Sequence, residues 1–260
     1  MNSQNNEWRL TVTYSSSHPD EIKHFEKDAE AWWDPEGPFK ILHRMNPCRI
    51  GYLREKIIHH FNIEKAKTAP FEGLRILDIG CGGGILTEPL ARLGGSVTGI
   101  DAGEKNIKMA SLHAEKSNLN IDYKVSTPED LAVNGELFDV ITALEIVEHV
   151  TDPQQFLHDS SKLLKKNGLI FLSTLNKTLK SYALAILGAE YILRWVPQGS
   201  HQWDKFLSPD TLHEYLRNEG IRPSDLKGMT YNPLIGTWSL SHDLGINYIM
   251  YGVNDPSFSK

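Results

Sequence analysis

At 260 residues, with 40% hydrophobic and 23% charged side chains, the chain has the composition of a globular protein with one sizeable core. Its 27 basic and 33 acidic residues leave a net charge of −6, which argues against nucleic acid or another polyanion as partner. Only Cys48 and Cys81 occur, too few for a disulfide framework or a zinc finger, so a reducing compartment fits.

In chain order, residues 1–20 are polar and carry neither an apolar signal core nor an Arg-rich transit pattern, which predicts a bacterial cytoplasmic location. An aromatic, proline-bearing front at 25–47 and a helix at 48–61 predict an N-terminal helical cap within residues 1–70. A second domain, 71–260, follows. Short apolar runs at 75–79, 96–100, 122–125, 138–143 and 169–173 read as strands. Helical patterns near 85–93, 104–116 and 153–166 separate them, the last stopped by Asn167-Gly168. Strands alternating with helices imply βαβ crossovers and a mostly parallel sheet.

Residues 176–207 interrupt this rhythm as an insertion after strand 5. The apolar stretch 182–195 is short and carries Glu190 and Arg194, so it does not have the ~18 uninterrupted apolar residues of a spanning helix. Ser208-Pro209 opens a further helix to about Gly220, with Ser as N-cap and Pro in the first turn. Segments near 226–231 and 246–253 are expected to complete a seven-stranded sheet as an antiparallel hairpin, leaving one strand antiparallel to the rest.

The run Leu77-Asp78-Ile79-Gly80-Cys81-Gly82-Gly83-Gly84 is a buried strand entering glycines and then a helix, a place where backbone can approach a ligand closely. Asp101 ends the next strand, 101 − 80 = 21 residues on, the spacing at which a carboxylate binds ribose hydroxyls. Ile85 stands where the dinucleotide fingerprint needs its third glycine, and the phosphate-loop pattern is absent. The run resembles the first motif of class I S-adenosylmethionine-dependent methyltransferases, which implies their Rossmann-like α/β fold and that cofactor. A purely structural glycine turn is the competing reading. Thr127-Pro128-Glu129 is a loose match to the region that contacts adenine, and solvated loop carboxylates are the plainer reading there.

The fourth strand ends in Leu144-Glu145-Ile146-Val147-Glu148-His149. If the turn is helical, Glu145, Glu148 and His149, at i, i+3 and i+4, project from one face and can ligate a divalent cation. A Glu-His pair that caps the turn or lines the pocket without metal is the alternative.

Trp32-Trp33-Asp34-Pro35-Glu36-Gly37-Pro38-Phe39, Leu42-His43-Arg44-Met45-Asn46-Pro47, Ser173-Thr174-Leu175-Asn176 and Gly188-Ala189-Glu190-Tyr191 resemble the ubiquinone-biosynthesis O-methyltransferases over nearly the whole chain. The resemblance implies methylation of a phenolic hydroxyl on a polyprenylated dihydroxybenzene or on demethylubiquinol. It implies cofactor contacts from Arg49, Gly80, Asp101 and Leu144, with Arg49 on the methionine carboxylate. It also implies a metal triplet of Glu145, Glu148 and His149 holding Mg²⁺ or another divalent cation, and a place beside other ubiquinone-biosynthesis enzymes. Packing of Trp32, Trp33 and Phe39 onto the core is the plain reading of the front motif.

Because the sulfonium methyl is already activated, the enzyme must align an oxygen with it and remove a proton. Glu145 and His149 are the expected catalytic residues, His149 acting as base where no metal binds. The competing functions are methylation of a carbon or nitrogen acceptor, or a noncatalytic cofactor-binding assembly protein. Lys177, Lys180 and Arg194 around apolar 182–195 predict a lid touching lipid peripherally at the inner membrane face.

Overall fold

The computed structural model describes residues 15–178, 181, 205–255, 257 and 258. Its helices are α1 (Pro19–Glu26), α2 (Lys40–His60), α3 (Thr87–Arg92), α4 (Glu104–Lys116), α5 (Pro128–Val133), α6 (Pro153–Lys162) and α7 (Pro209–Asn218). Strands are β1 (Arg75–Ile79), β2 (Ser96–Asp101), β3 (Asp122–Val125), β4 (Phe138–Leu144), β5 (Leu164–Leu175), β6 (Ile221–Asn232), β7 (Thr237–Ser241) and β8 (Asn247–Asn254). They form one sheet in the order β3-β2-β1-β4-β5-β8-β6-β7.

β1 to β5 pair in parallel, while β5 with β8, β8 with β6 and β6 with β7 pair antiparallel. The strand order reverses beside β1, between β1 and β4, which opens a crevice at their carboxyl ends. The Rossmann-like α/β class is as expected. The sheet has eight strands instead of seven. The added strand is β7, a short segment whose hairpin with β6 turns at Gly236, φ 68°. Thus 226–231 and 246–253 do pair, but not as consecutive strands.

Two other expectations change. Asn167-Gly168 does not stop a helix: α6 ends at Lys162 and β5 is already running. Asn167, at φ 61°, lies where the β4–β5 register slips between Phe138 and Val140, so the pair marks an irregularity inside a strand. The second helix starts at Lys40 and carries Pro47 in its interior. Proline costs that helix a hydrogen bond, yet Met45 and Asn46 are buried, and their packing outweighs the local penalty.

Apolar side chains fill both faces of the sheet. Leu77, Ile141, Phe156, Ile170 and Leu212 belong to one cluster, and Tyr52, Leu53, Ile57, Ile76 and Phe171 to the other. The second cluster includes residues of α2, so the N-terminal segment is part of the core that carries the crevice. No helix among the described residues is long and apolar enough to cross a membrane. The insertion 176–207 lies outside the described residues except for 176–178, 181 and 205–207.

Candidate functional site

At the carboxyl ends of β1 and β4 a cavity of about 700 Å³ is lined by Arg49, Asp78, Gly80, Asp101, Leu144, Glu145 and His149, among others. The four expected cofactor contacts, Arg49, Gly80, Asp101 and Leu144, therefore share one cavity with two of the three expected metal ligands. Glu148 is not on its wall.

The glycine loop owes its shape to what packs on it. Gly80, Gly82 and Gly84 have φ of 70°, 53° and 90°, the left-handed region that glycine enters without penalty. At Gly83 the reason is space, since a Cβ there would collide with the Cβ and ring of Trp32. Trp32 stacks on Phe39 at 3.7 Å and its indole N–H donates to Asn106 Oδ1 at 2.9 Å. Trp33 donates to the Gly83 carbonyl at 2.8 Å and stacks on His113 at 3.5 Å. The aromatic front thus packs, as the plain reading holds, and what it packs on is the glycine loop.

Asp101 accepts from Gly82 N–H at 3.0 Å through Oδ2, and from Gly103 N–H at 2.8 Å and Asn106 Nδ2 at 3.1 Å through Oδ1. A carboxylate offers about four acceptor positions, so one remains on Oδ2 for a ribose hydroxyl. Burial pushes its pKa up against these hydrogen bonds. Behind it, Asp78 accepts from Thr87 and Thr142 hydroxyls, both at 2.7 Å. Burial nonetheless raises it to about 6. Sequence reasoning left Asp78 out of the site, although a carboxylate inside an apolar strand was the available signal.

Arg49 is 4% exposed and its Nη2 stands 3.0 Å from Glu145 Oε1. The contact is an ion pair off the hydrogen-bonding line, because Nε and Nη2 have no hydrogen-bond partner among the described residues. Glu145 sits at φ 55°, held by its N–H to the Ser173 carbonyl at 2.9 Å. Its Oε1 also accepts from Ser173 Oγ at 2.8 Å.

The expected one-face triplet does not form. Only Val147–His149 make a single 3-10 turn, and Glu145 precedes it in the left-handed region, so the helical i, i+3, i+4 geometry is lost. Glu145 turns to Arg49. Both Glu148 oxygens are buried with no close hydrogen-bond partner among the described residues, and burial, with the neighbouring Glu145 charge, raises its pKa. His149 Nδ1 lies 3.2 Å from Glu21 Oε2, and Glu21 also accepts from Lys205 at 2.8 Å. Among the described residues no three His, Cys, Asp or Glu are arranged to hold a metal ion. The side chains as folded do not fit a shared cation.

Burial lowers the pKa of His149, but the Glu21 hydrogen bond and the charges of Glu148 and Glu21 outweigh it, so the net direction is up. The His149 hydrogen bond in turn holds Glu21 at about 2. Glu21 belongs to α1, a contact that no local motif announces. Thr127 caps α5 and lines the cavity, whereas Glu129 accepts from Ser16 N–H at 2.7 Å and ties down the front of the chain.

The family described as "Methyltransferase domain" matches residues 51–223. The ubiquinone biosynthesis O-methyltransferase of Cereibacter sphaeroides is 52% identical over 92% of this chain and 97% of its own. That of Parvibaculum lavamentivorans is 49% identical over 90% and 93%. Among solved structures, magnesium protoporphyrin IX methyltransferase from Synechocystis with bound SAH aligns with TM-score 0.63 and 19% identity over 90% of this chain and 95% of that one. An S-adenosylmethionine-dependent methyltransferase from Clostridium acetobutylicum aligns with TM-score 0.61 and 14% identity over 90% and 98%. The solved structures share the fold, and the sequence relatives go further: the chain belongs to the methyltransferase-domain family and, within it, to the ubiquinone biosynthesis O-methyltransferases.

Proposed function

We propose that this protein transfers the methyl group of S-adenosylmethionine to a phenolic hydroxyl of a polyprenylated dihydroxybenzene or of demethylubiquinol. The observation that carries this reading is about 50% identity, over nine-tenths of the chain, to proteins named for that chemistry. The cavity agrees with it, combining a glycine loop and the Asp101 carboxylate with apolar walls and the imidazoles of His18 and His149.

When bound, the cofactor supplies an electrophilic methyl group. Asp101 Oδ2 accepts a ribose hydroxyl, Gly80 lets the backbone come close, and Leu144 packs against the ligand. Arg49, buried beside Glu145 with Nε unpaired among the described residues, is the cation for the methionine carboxylate. His149 takes the phenol proton at Nε2 while Glu21 orients the ring through Nδ1. Glu145 positions Arg49. Incubation with labelled cofactor and a short-chain prenylated 1,2-dihydroxybenzene, read by mass spectrometry, tests the reading. Methylation at carbon or nitrogen of other acceptors, with none at this oxygen, would replace it.

A second reading retains a divalent cation, Mg²⁺ by the hardness of its oxygen ligands, at Glu145, Glu148 and His149. The two buried oxygens of Glu148, without a close partner among the described residues, favour it. It requires Glu145 to leave Arg49 and His149 to leave Glu21. Turnover that stops on chelation and returns with Mg²⁺ would establish it.

A lid touching lipid through residues 177–207 rests on the apolar composition of 182–195, which lie outside the described residues. Liposome flotation with and without that insertion tests it, and affinity co-purification reads contact with other ubiquinone-biosynthesis enzymes.

A further inference from the structure

Part of the cavity wall is built by the start of β8 and by the β6–β7 hairpin, whose strand β7 sequence reasoning did not foresee. Asn247 opens β8. It pairs with Leu175 at the carboxyl end of β5, and β5 in turn pairs Ser173 with Leu144. Asn247 therefore stands across one strand from the residues that end β4, on the acceptor side of the crevice.

Asn247 lines the cavity, yet the residue is only 3% exposed and its buried Oδ1 has no hydrogen-bond partner among the described residues. On the same cavity wall, the Trp238 indole N–H is also buried without a partner among the described residues, and the Trp238 ring lies 5.5 Å from that of Tyr231. Buried polar atoms are almost always satisfied, because an orphan forfeits its water without compensation. An orphan amide that lines a cavity is explained when a ligand completes it. The cofactor does not do so, since its ribose and methionine contacts lie at Asp101 and Arg49.

We infer that Asn247 is an acceptor-binding residue, its Oδ1 taking the hydrogen bond of a hydroxyl on an aromatic 1,2-diol. The hydroxyl concerned is the one beside the methylated oxygen. The reacting hydroxyl must give its proton to His149 and has none left to donate, whereas its neighbour keeps a proton that needs a buried oxygen. The aromatic rings of Trp238 and Tyr231 then form the wall against which the acceptor ring lies. A phenol lacking the second hydroxyl would leave Asn247 unpaired and bind less well, which is how a polar site discriminates such analogues. This inference rests on the phenolic-acceptor reading and names the feature of the acceptor that this chain recognises.

Asn247→Leu separates the roles. It keeps the branched shape and replaces the polar end with two methyl groups, so a residue kept for the fold and a residue kept for a ligand respond differently. The expected result is a KM for short-chain prenylated 1,2-dihydroxybenzene raised roughly tenfold, with an unchanged dissociation constant for S-adenosylhomocysteine and an unchanged or higher Tm. With the matching monohydroxy compound, wild type and variant should have equal KM. Should the leucine variant fail to fold, Asn247→Ala is expected to show the same diol-selective rise. An unchanged KM for the diol, or an equal rise with both compounds, would overturn the role of Asn247 and leave the methyl-transfer reading standing. Weakened S-adenosylhomocysteine binding with a lowered Tm would assign Asn247 to the cofactor site or the fold and overturn it too. Absence of diol methylation by the wild type would overturn the functional reading, and this inference with it.

Discussion

Arg49 Nη2 and Glu145 Oε1 lie 3.0 Å apart in the wall of the cavity, joining the middle of α2 to the end of β4. Removing one partner of such a pair strands the other charge away from water. Arg49→Met is therefore expected to destabilise the fold by roughly 3 kcal/mol, the low end for a buried pair because Glu145 keeps some solvent contact. Combining it with Glu145→Gln should recover a large part of that loss. Urea unfolding of both single variants and the double variant measures the coupling, and strictly additive losses would show that the pair contributes nothing.

Asp101→Ala is expected to weaken S-adenosylhomocysteine binding by roughly 1–3 kcal/mol, the range for a charged hydrogen bond left unmade. The same change frees Gly82 N–H and Gly103 N–H, so the Tm should fall as well. Calorimetry decides the first point, and an unchanged dissociation constant would remove Asp101 from the cofactor site.

Gly83 owes its identity to Trp32 and not to backbone conformation, because its φ is not in the left-handed region. Gly83→Ala should push the front of the chain off the loop, lowering Tm and cofactor affinity together. Trp32→Gly, which removes the Cβ as well as the ring, makes room for that methyl group, so the double variant should lose less than the sum of the two single losses. Additive losses in thermal unfolding would contradict the close packing.

The Glu21–His149 contact makes both stability and rate depend on pH. Glu21 is held at about 2, below its ordinary 4.5, so its contribution is present above pH 4.5 and fades as pH falls toward 2. His149 is raised above 6.5, so its contribution is present below that pH and is lost as pH rises through the raised value. The Tm difference between wild type and Glu21→Gln should thus be largest between about pH 4.5 and 6.5. In the same variant, the acid limb of kcat/KM should move to lower pH, because His149 loses the partner that favours its protonated form. A limb that stays in place would separate His149 from the proton transfer.

Much of this framework was legible in the chain. β1 and β3 match their expected bounds because each is a short run between turn residues, and the spacing from Gly80 to Asp101 placed both in the cavity. β7 was missed because Thr237–Ser241 has a partly exposed, polar-rich pattern that only pairing with β6 makes a strand. The one-face geometry expected of the triplet fails for a related reason. Its i, i+3, i+4 spacing is a helical argument, whereas Glu145 is drawn away by Arg49 and Ser173, and His149 by Glu21, all remote in sequence. Local spacing carries no information about such partners. Asn247, paired with Leu175 across the sheet, was invisible on the same grounds.

The most direct test of the proposed chemistry compares wild type with His149→Gln in methyl transfer from labelled S-adenosylmethionine to a short-chain prenylated 1,2-dihydroxybenzene. Loss of a general base costs on the order of 10²–10⁴ in rate. The expected result is an oxygen-linked methyl group from the wild type and a kcat lowered by that factor in the variant, with S-adenosylhomocysteine affinity unchanged. Equal rates for the two proteins, or no transfer to oxygen by the wild type, would contradict it.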